Sequence, residues 1–476
     1  MNTECNVAQL EFQGVGSRKV QAAFDGGHLS SDGGALLLRE LDERLRVSQR
    51  FAECFTDYRD AELVEHQLVE LLRQRVYGIA LGYEDLNDHD DLARDPLLAL
   101  TVGKTDVEGQ TRRRSADKGK ALASSSTLNR LELTPAEANG TNRYKKVVYH
   151  PELIENLMVD LFLDSFAQAP EEIILDFDAT DDPVHGNQEG RFFHGYYGCY
   201  CYMPLYVTCG EHLLVAQLRE ANQDASAGSV EVLARLVRRI RARWPEVRII
   251  LRADSGFARD TIMTWCEQQP EEQQQVYYVL GMAKNERLLK KIGNELVAAF
   301  ARHVQTGNAA RVFGSSLYRT CESWSRPRRI VGKAEWLSKG ANPRFIVTNL
   351  PEDYASPKDL YEKIYCARGE MENRIKEQQL DLFADRTSAH TLRANQLRLW
   401  FSSLAYVLVS AMRRIALSNT RLAKATCGTI RLKLFKIGAR IKVSVRRFVV
   451  QFASACPCQD VFAQALNNIH AYPLRT

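Results

Sequence analysis

The chain has 476 residues, of which 45% are hydrophobic and 26% are charged, and its formal net charge is +4. This length excludes a single small core and favours two to four domains. The sequence shows no secretory signal and no apolar run of about 18 residues, so we expect no membrane association. Eleven cysteines without an export signal indicate the reduced thiols of a cytoplasmic protein.

Residues 1–160 are predicted to form a mainly helical region. The stretch "AELVEHQLVELLRQRVYGIALGY" has apolar residues at helical spacing. In "LASSSTLNRLEL", serines precede a short helix, as in the turn and second helix of a helix-turn-helix. That motif would present Thr127, Asn129 and Arg130 to a DNA groove, whereas the alternative is an ordinary serine-capped surface helix.

Residues 161–284 are predicted to form the first part of an RNase H-like α/β core. The stretches "EIILDFDA", "YCYMPLYVTC" and "EHLLVAQLRE" are typical of strands, and "SVEVLARLVRRIRARW" is typical of an amphipathic helix. A further strand, "EVRIILRAD", and a strand "VYYVLGMAK" follow it. Three strands and then alternating helices and strands give the order of an RNase H-like fold.

Two further segments complete this core in the prediction. Residues 285–350 contain short β-like pieces and indicate an inserted β-rich subdomain, in which Trp324 is placed either to stack on an unpaired DNA base or to pack in a core. Residues 351–418 return to the core with a strong helix that starts at Ser356 and Pro357.

Residues 419–476 are predicted to form a basic region for DNA binding or dimerisation. In "TIRLKLFKIGARIKVSVRRF", apolar and cationic residues alternate, which predicts a hairpin with one apolar and one cationic face. The alternative is a solvated surface, but the absence of acidic residues favours contact with phosphates. The candidate DNA-binding side chains are Arg431, Lys433, Arg440, Lys442 and Arg446.

Carboxylates at the ends of predicted strands point to a metal site. Asp176 and Asp178 follow an apolar run and share one face of a strand, and Asp254 ends a second strand. Far downstream, "YCARGEMENRIKE" places Glu372 on a helix. Clustered carboxylates repel one another unless a cation compensates them, and Mg²⁺ prefers such hard oxygen ligands. A pair of these ions can promote phosphodiester cleavage.

These residues resemble the DDE transposases of bacterial insertion sequences. The match is to the large group with a Y-x-x-R-x-x-x-E signature, which Tyr365, Arg368 and Glu372 reproduce. "DATDDPVHGNQEG", "LRADSGF" and "ENRIKEQQLDLFADRTSAH" are similar to one branch of that group. The sequence departs from the group at Gln379, where a lysine is usual.

The resemblance implies a catalytic and metal-binding triad of Asp178, Asp254 and Glu372, with Mg²⁺ as cofactor and Mn²⁺ as a substitute. It also implies that Tyr365 and Arg368 contact DNA, and Lys376 is a candidate replacement for the usual lysine. The expected function is cut-and-paste transposition in a bacterial cytoplasm, by a homodimer on DNA that holds the terminal inverted repeats and the target.

Several alternatives stay open at this stage. Asp176 could replace or assist Asp178, whereas Asp181 and Asp182 are expected to shape the turn. His185 and His194 lie near cysteines, but the spacing fits no zinc site. Two rival functions are an RNase H-like nuclease without strand transfer and an inactive transposase that acts as a DNA-binding repressor.

Overall fold

The computed structural model describes residues 9–269 and 275–474. The chain forms two compact units, one of Met1–Val148 with Leu404–Thr476 and the other of Tyr149–Ser403. None of the described helices is long and apolar enough to span a membrane.

The first unit begins with short strands and continues with helices. Buried leucines at helical spacing hold the helices together, and Gly82, with a φ of 100°, ends the longest of them. The elements are β1 (Leu10–Val15), β2 (Arg18–Ala22), β3 (Leu29–Ser30), α1 (Ala35–Leu45), α2 (Val47–Ala52), β4 (Phe55–Asp57), α3 (Leu68–Leu81), α4 (Asp88–Leu92), α5 (Pro96–Val102), α6 (Ser125–Glu132) and β5 (Val147–Tyr149).

Helix α6 is the helix predicted from the serine-rich stretch, but it is not the second helix of a helix-turn-helix. Helix α5 ends at Val102, so 22 residues (103–124) separate it from α6, whereas that motif needs a turn of about three or four residues. The Asp90 carboxylate accepts hydrogen bonds from the Ser125 N–H (2.9 Å) and hydroxyl (2.7 Å). The helix start is therefore fixed by an acidic side chain of α4.

The second unit is built on one large mixed sheet with helices on its faces. Its elements are α7 (Pro151–Leu163), β6 (Glu172–Ala179), β7 (Asp182–Pro183), β8 (Phe192–His194), β9 (Cys199–Tyr202), β10 (Leu205–Cys209), β11 (His212–Gln217), α8 (Ser229–Arg243), β12 (Arg248–Ala253), α9 (Asp260–Glu267), β13 (Val276–Met282), α10 (Glu286–Lys291), α11 (Gly293–Thr306), β14 (Ala310–Tyr318), β15 (Arg328–Leu337), β16 (Gly340–Ala341), β17 (Arg344–Thr348), α12 (Pro357–Asp359), α13 (Gly369–Lys376) and α14 (Leu392–Ala411).

The strand order of this sheet confirms the RNase H-like prediction. It runs β11-β10-β6-β12-β13-β17-β15-β14. Strands β6, β10 and β11 form an antiparallel meander, and β6, β12 and β13 are parallel. The strands of the β-rich insertion continue the same sheet, because β17 pairs with β13. The insertion therefore extends the core sheet.

The two faces of the central strands have different partners. Leu175, Leu251 and Leu280 belong to the larger core, which also includes residues of α7, α8 and α9. Residues of the opposite face, such as Ile250 and Val279, pack on Leu360 at the start of the long helical segment. This second face carries the aspartates, because side chains alternate along a strand.

The C-terminal part of the first unit contains α15 (Cys427–Ile430), β18 (Ala439–Ser444), β19 (Arg447–Phe452) and α16 (Gln459–Ala471). The predicted hairpin, which joins residues 430–434 to 440–446 through a turn near Gly438, was wrong: β18 instead pairs antiparallel with β19, and residues 430–434 are not a strand. That segment is helical, because Ile430 and Leu434, four residues apart, are both fully buried while Leu432 is 72% exposed. The Thr426 hydroxyl caps the helix by accepting from the Thr429 N–H (3.3 Å).

Candidate active site

The first carboxylate of the site comes from the end of β6. Asp178 follows the buried Phe177, and its side chain is only 16% exposed. One carboxylate oxygen accepts a hydrogen bond from the Ala179 N–H at 3.0 Å. The strand therefore delivers an acidic side chain to the sheet end with little access to water.

The second carboxylate lies at the corresponding end of the adjacent parallel strand. Asp254 directly follows β12, and its carboxylate accepts from the Gly256 N–H at 2.9 Å. This contact caps a short helical turn, Ser255–Phe257. Because β6 and β12 are parallel neighbours, their C-terminal ends bring Asp178 and Asp254 to the same edge of the sheet.

The third carboxylate comes from a long helical segment that runs from Pro357 to Asp381. Its first part, Leu360–Tyr365, has wide π-type turns, and α13 then carries Glu372, whose side chain is 48% exposed. Such wide turns occur frequently at functional sites. The segment packs on the aspartate-bearing face of the sheet, so Glu372 approaches the site from that face.

Arg368 connects two of the three carboxylates. Its guanidinium donates to Asp178 Oδ2 at 3.3 Å and to Glu372 Oε1 at 2.9 Å. The simple pairing of Arg368 with Glu372 on one helix is therefore only part of its role, since it also contacts Asp178 on the sheet. Asp178 and Glu372 thus face the same guanidinium.

The charges of Asp254 and Glu372 both act on Asp178. Burial raises the pKa of the Asp178 carboxyl to about 6; Arg368 opposes this rise, whereas the charges of Asp254 and Glu372 add to it. Repulsion of this kind requires the carboxylates to be near neighbours. The structure thus brings Asp178, Asp254 and Glu372 into one site.

Tyr365 closes the site on the side of β13. A Cβ atom at Gly281 would lie 2.4 Å from the Tyr365 hydroxyl and 3.0 Å from the Ser255 nitrogen. Burial raises the pKa of the Tyr365 hydroxyl. The charge of Arg368 opposes this rise, and the charge of Asp254 adds to it. Gly281 is therefore needed for the close approach of Tyr365 to the Asp254 turn, and sequence reasoning missed it.

Asp176 has a different role from its neighbour Asp178. Arg252 on β12 binds it through both carboxylate oxygens, at 2.5 and 2.7 Å, and Arg252 also donates to the Ile364 carbonyl. Asp176 and Arg252 are both buried. The pair links two strands to the helical segment that carries Tyr365, which favours Asp178 over Asp176 as the functional carboxylate. An arginine inside the apolar stretch "IILRAD" was the sequence signal for this pair.

Two other positions of the long helical segment lie beside the triad. Lys376 is exposed, one turn beyond Glu372. Gln379, which stands where the related group usually has lysine, donates to the Asp181 carbonyl at 3.1 Å. Gln379 therefore fixes the turn after Asp178. Lys376 is a cation whose side chain is exposed to solvent.

The donor chemistry of the triad fits a hard divalent cation, because three carboxylates that repel one another supply only oxygen ligands. Within residues 9–269 and 275–474, however, no group of three or more His, Cys, Asp or Glu side chains converges to hold a metal ion. Arg368 lies between Asp178 and Glu372 instead. The same finding gives no support for zinc at His185, His194 and the nearby cysteines.

Trp324 does not lie where the base-stacking prediction requires. It is 4% exposed in the main core, with the Tyr318 ring at 5.7 Å and the Arg328 guanidinium over it at 5.5 Å. Arg328 itself is buried and paired with Asp260 (2.6 Å) and Glu267 (2.9 Å). A buried indole offers no face to a base, so the stacking prediction was wrong and core packing is correct.

The basic side chains of the C-terminal region divide into two groups. Lys433, Arg440, Lys442 and Arg446 are exposed, and Arg440 and Lys442 lie on β18 opposite the buried Ala439 and Ile441. Arg431 instead donates to the Ala80 (2.8 Å) and Ile79 (3.2 Å) carbonyls at the end of α3. The predicted alternation of buried and exposed residues holds only from Ala439 to Lys442, because Val443 and Val445 are exposed, and Arg431 serves as a helix cap.

The predicted residues of α6 remain accessible to different degrees. Arg130 is exposed and stacks over the Tyr144 ring at 4.8 Å, and Thr127 and Asn129 are half-buried. Nothing in their contacts shows a nucleic-acid role, which stays a prediction.

The sheet order and the three acids define an RNase H-like protein with a carboxylate site at the ends of β6 and β12. The model of the transposase DDE domain group 1 family matches residues 12–474. The chain belongs to this family of DDE transposases.

Among solved structures, the chain has a distant likeness to a transposase. The chain is similar to piggyBac transposase in a cryo-EM synaptic complex with hairpin DNA, with 10% identity and a TM-score of 0.42 over 93% of this chain and 83% of that chain. No curated protein matches the sequence.

Proposed function

We propose that this transposase cuts DNA at the ends of its own insertion sequence and joins the freed 3′-hydroxyl ends to target DNA. The observation that carries this proposal is the contact of one guanidinium, Arg368, with both Asp178 and Glu372 beside Asp254. Acids from two strands and one helix meet there within an RNase H-like sheet. Such a site suits attack on a phosphodiester, whose transition state carries negative charge.

Asp178, Asp254 and Glu372 are the residues that would hold Mg²⁺, or Mn²⁺ in its place. When bound, the ions would supply activation of the attacking hydroxyl and stabilisation of the leaving oxygen. The raised pKa of Asp178, about 6, means that this carboxylate is largely ionised at neutral pH and loses its charge in mild acid.

The remaining side chains orient the DNA backbone. Arg368 presents a fork of donors that suits a phosphate, and the Tyr365 hydroxyl lies at the Asp254 turn. Lys376 adds an exposed cation one helical turn beyond Glu372. We propose that these three residues hold the scissile phosphate against the carboxylates and that Gln379 keeps the Asp181 turn in place.

DNA binding away from the active site is assigned to exposed cations. We propose that Lys433, Arg440, Lys442 and Arg446 contact phosphates, and that Thr127, Asn129 and Arg130 contact the terminal inverted repeat. A homodimer that bridges two element ends in the cytoplasm of a bacterium is part of the same proposal.

The test is a reaction with a donor plasmid that carries the gene with its native flanking DNA, with and without Mg²⁺. Cleavage and strand transfer are expected from the natural chain with Mg²⁺, and neither from Asp254→Asn or Glu372→Gln. Asp353→Asn, at an exposed position, is the matched control. Breaks without joined product would identify a nuclease, and unchanged products from Asp254→Asn would exclude this site as the catalytic one.

A further inference from the structure

A second group of acids lies outside the triad. Asp182 is 1% exposed, yet its carboxylate has no hydrogen-bond donor among the described residues outside this group. Asp385 is half-buried, and its Oδ1 is buried without a donor; the hydroxyl of Thr387, which is 4% exposed, has no partner other than Asp182 among the described residues. We call these three residues the Asp182 cluster. Buried polar atoms normally have partners, so buried oxygens without a partner outside the cluster point to a bound group.

Hydrogen bonds between two segments bring the cluster together. Gln379 donates to the Asp181 carbonyl (3.1 Å), and Gln188 donates to the Thr387 carbonyl (3.2 Å). The Glu189 N–H donates to the His390 carbonyl at 2.9 Å. The turn that follows Asp178 is thereby joined to the segment that follows the Glu372 helix, and Asp182 lies near Thr387 and Asp385 at this junction.

The cluster has no counter-charge. Burial raises the pKa of Asp182 well above its ordinary value, the Thr387 hydroxyl opposes this rise, and the charges of Asp385 and Asp181 add to it. Burial raises the pKa of Tyr206, and the charges of the same two acids, Asp182 and Asp385, add to this rise. Neither acid forms an ion pair with any described residue, so the buried Asp182 and the half-buried Asp385 have no compensating cation.

We propose that Asp182, Asp385 and Thr387 form a structural binding site for a hard divalent cation, separate from the triad. Carboxylate and hydroxyl oxygens are the ligands that Mg²⁺, Mn²⁺ and Ca²⁺ prefer, and water and main-chain carbonyls would complete the shell. The ion would clamp the turn after Asp178 to the segment after Glu372. This proposal does not depend on the reaction assigned to the triad.

The test measures metal binding in a chain whose triad is disabled by Asp178→Asn, Asp254→Asn and Glu372→Gln. Binding of Mn²⁺ is followed by the loss of the free-ion EPR signal. One tightly held ion per chain is expected in this background, and adding Asp182→Asn or Asp385→Asn should abolish it. Adding Asp353→Asn, at an exposed position, should leave it unchanged.

Thermal unfolding provides the second measurement and guards against a folding defect. In EDTA, Asp182→Asn should melt at or above the temperature of its parent, because it removes an uncompensated buried charge. In Mn²⁺ or Ca²⁺, only chains with both aspartates should gain stability. The proposal is overturned if the triad-disabled chain binds no ion, or if an ion still binds after Asp182→Asn and Asp385→Asn. The absence of an ion would mean that Asp182 and Asp385 share a proton.

Discussion

Arg252 holds Asp176 through both carboxylate oxygens, two residues before Asp178 on the same strand. The same guanidinium donates to the Ile364 carbonyl, immediately before Tyr365. Two aspartates on one face of one strand therefore have different partners. The arginine that binds Asp176 lies on the neighbouring strand, and the arginine that binds Asp178 lies on the helical segment.

We expect Arg252→Met to destabilise the protein by about 3–5 kcal/mol, because it leaves Asp176 buried without its counter-ion. Denaturant unfolding measures this change. The double variant with Asp176→Asn should recover part of the loss, since the uncompensated charge is then removed. If Arg252→Met abolished activity with unchanged stability, Asp176 would have to be reconsidered as a metal ligand.

Asp178→Asn should raise the stability of the protein at neutral pH, whereas Arg252→Met lowers it. The folded-state pKa of Asp178, about 6, lies above that of an unfolded aspartate, so the ionised carboxylate lowers stability as pH rises from about 4 to 6. In EDTA at pH 8, the variant should be more stable by about 1–2 kcal/mol, while losing activity.

The difference in stability between Asp178→Asn and the natural chain should disappear below about pH 4, where both side chains are neutral. Thermal unfolding across this pH range measures it. A pH-independent difference would mean that Asp178 is not held in the low-dielectric site described here.

Gly281→Ala should reduce activity at least tenfold, because the added methyl group would lie 2.4 Å from the Tyr365 hydroxyl. Initial rates of cleavage measure the effect. Tyr365→Phe removes the colliding oxygen, so Gly281→Ala should cost less stability in that background than in the natural chain. Gly369→Ala is the control, since a Cβ at that glycine meets nothing within 4 Å.

Lys442→Gln should weaken DNA binding and lower the salt dependence of log Kd by about 1, if the exposed lysine contacts one phosphate. Fluorescence anisotropy at several salt concentrations measures this slope. Arg431→Gln should instead lower the melting temperature and leave the slope unchanged, because Arg431 caps α3. Equal slopes for Lys442→Gln and the natural chain would exclude a phosphate contact at Lys442.

The sequence predicted the core strands because their apolar runs are long and end at aspartates. It predicted that distant Asp254 and Glu372 meet only through a family resemblance, since spacing alone does not specify tertiary contacts. Residues 430–434 were mispredicted because Ile430 and Leu434 fit both a strand face and one side of a helix. The arginine in "IILRAD" signals a buried ion pair, but local pattern cannot identify its partner, Asp176, which lies 76 residues away. Arg328, which lies over the Trp324 ring, likewise pairs with the distant Asp260 and Glu267.

Gly281 on β13 pairs in register with Ile346 on β17. The glycine that admits Tyr365 thus lies beside the last strand of the β-rich insertion. Chimaeric transposases made by exchanging whole insertions should therefore have a foreign strand directly beside Gly281 and Tyr365. Chimaeras that keep β17 and replace only the segment from Glu286 to Leu337 should retain more activity than chimaeras in which the whole insertion is exchanged.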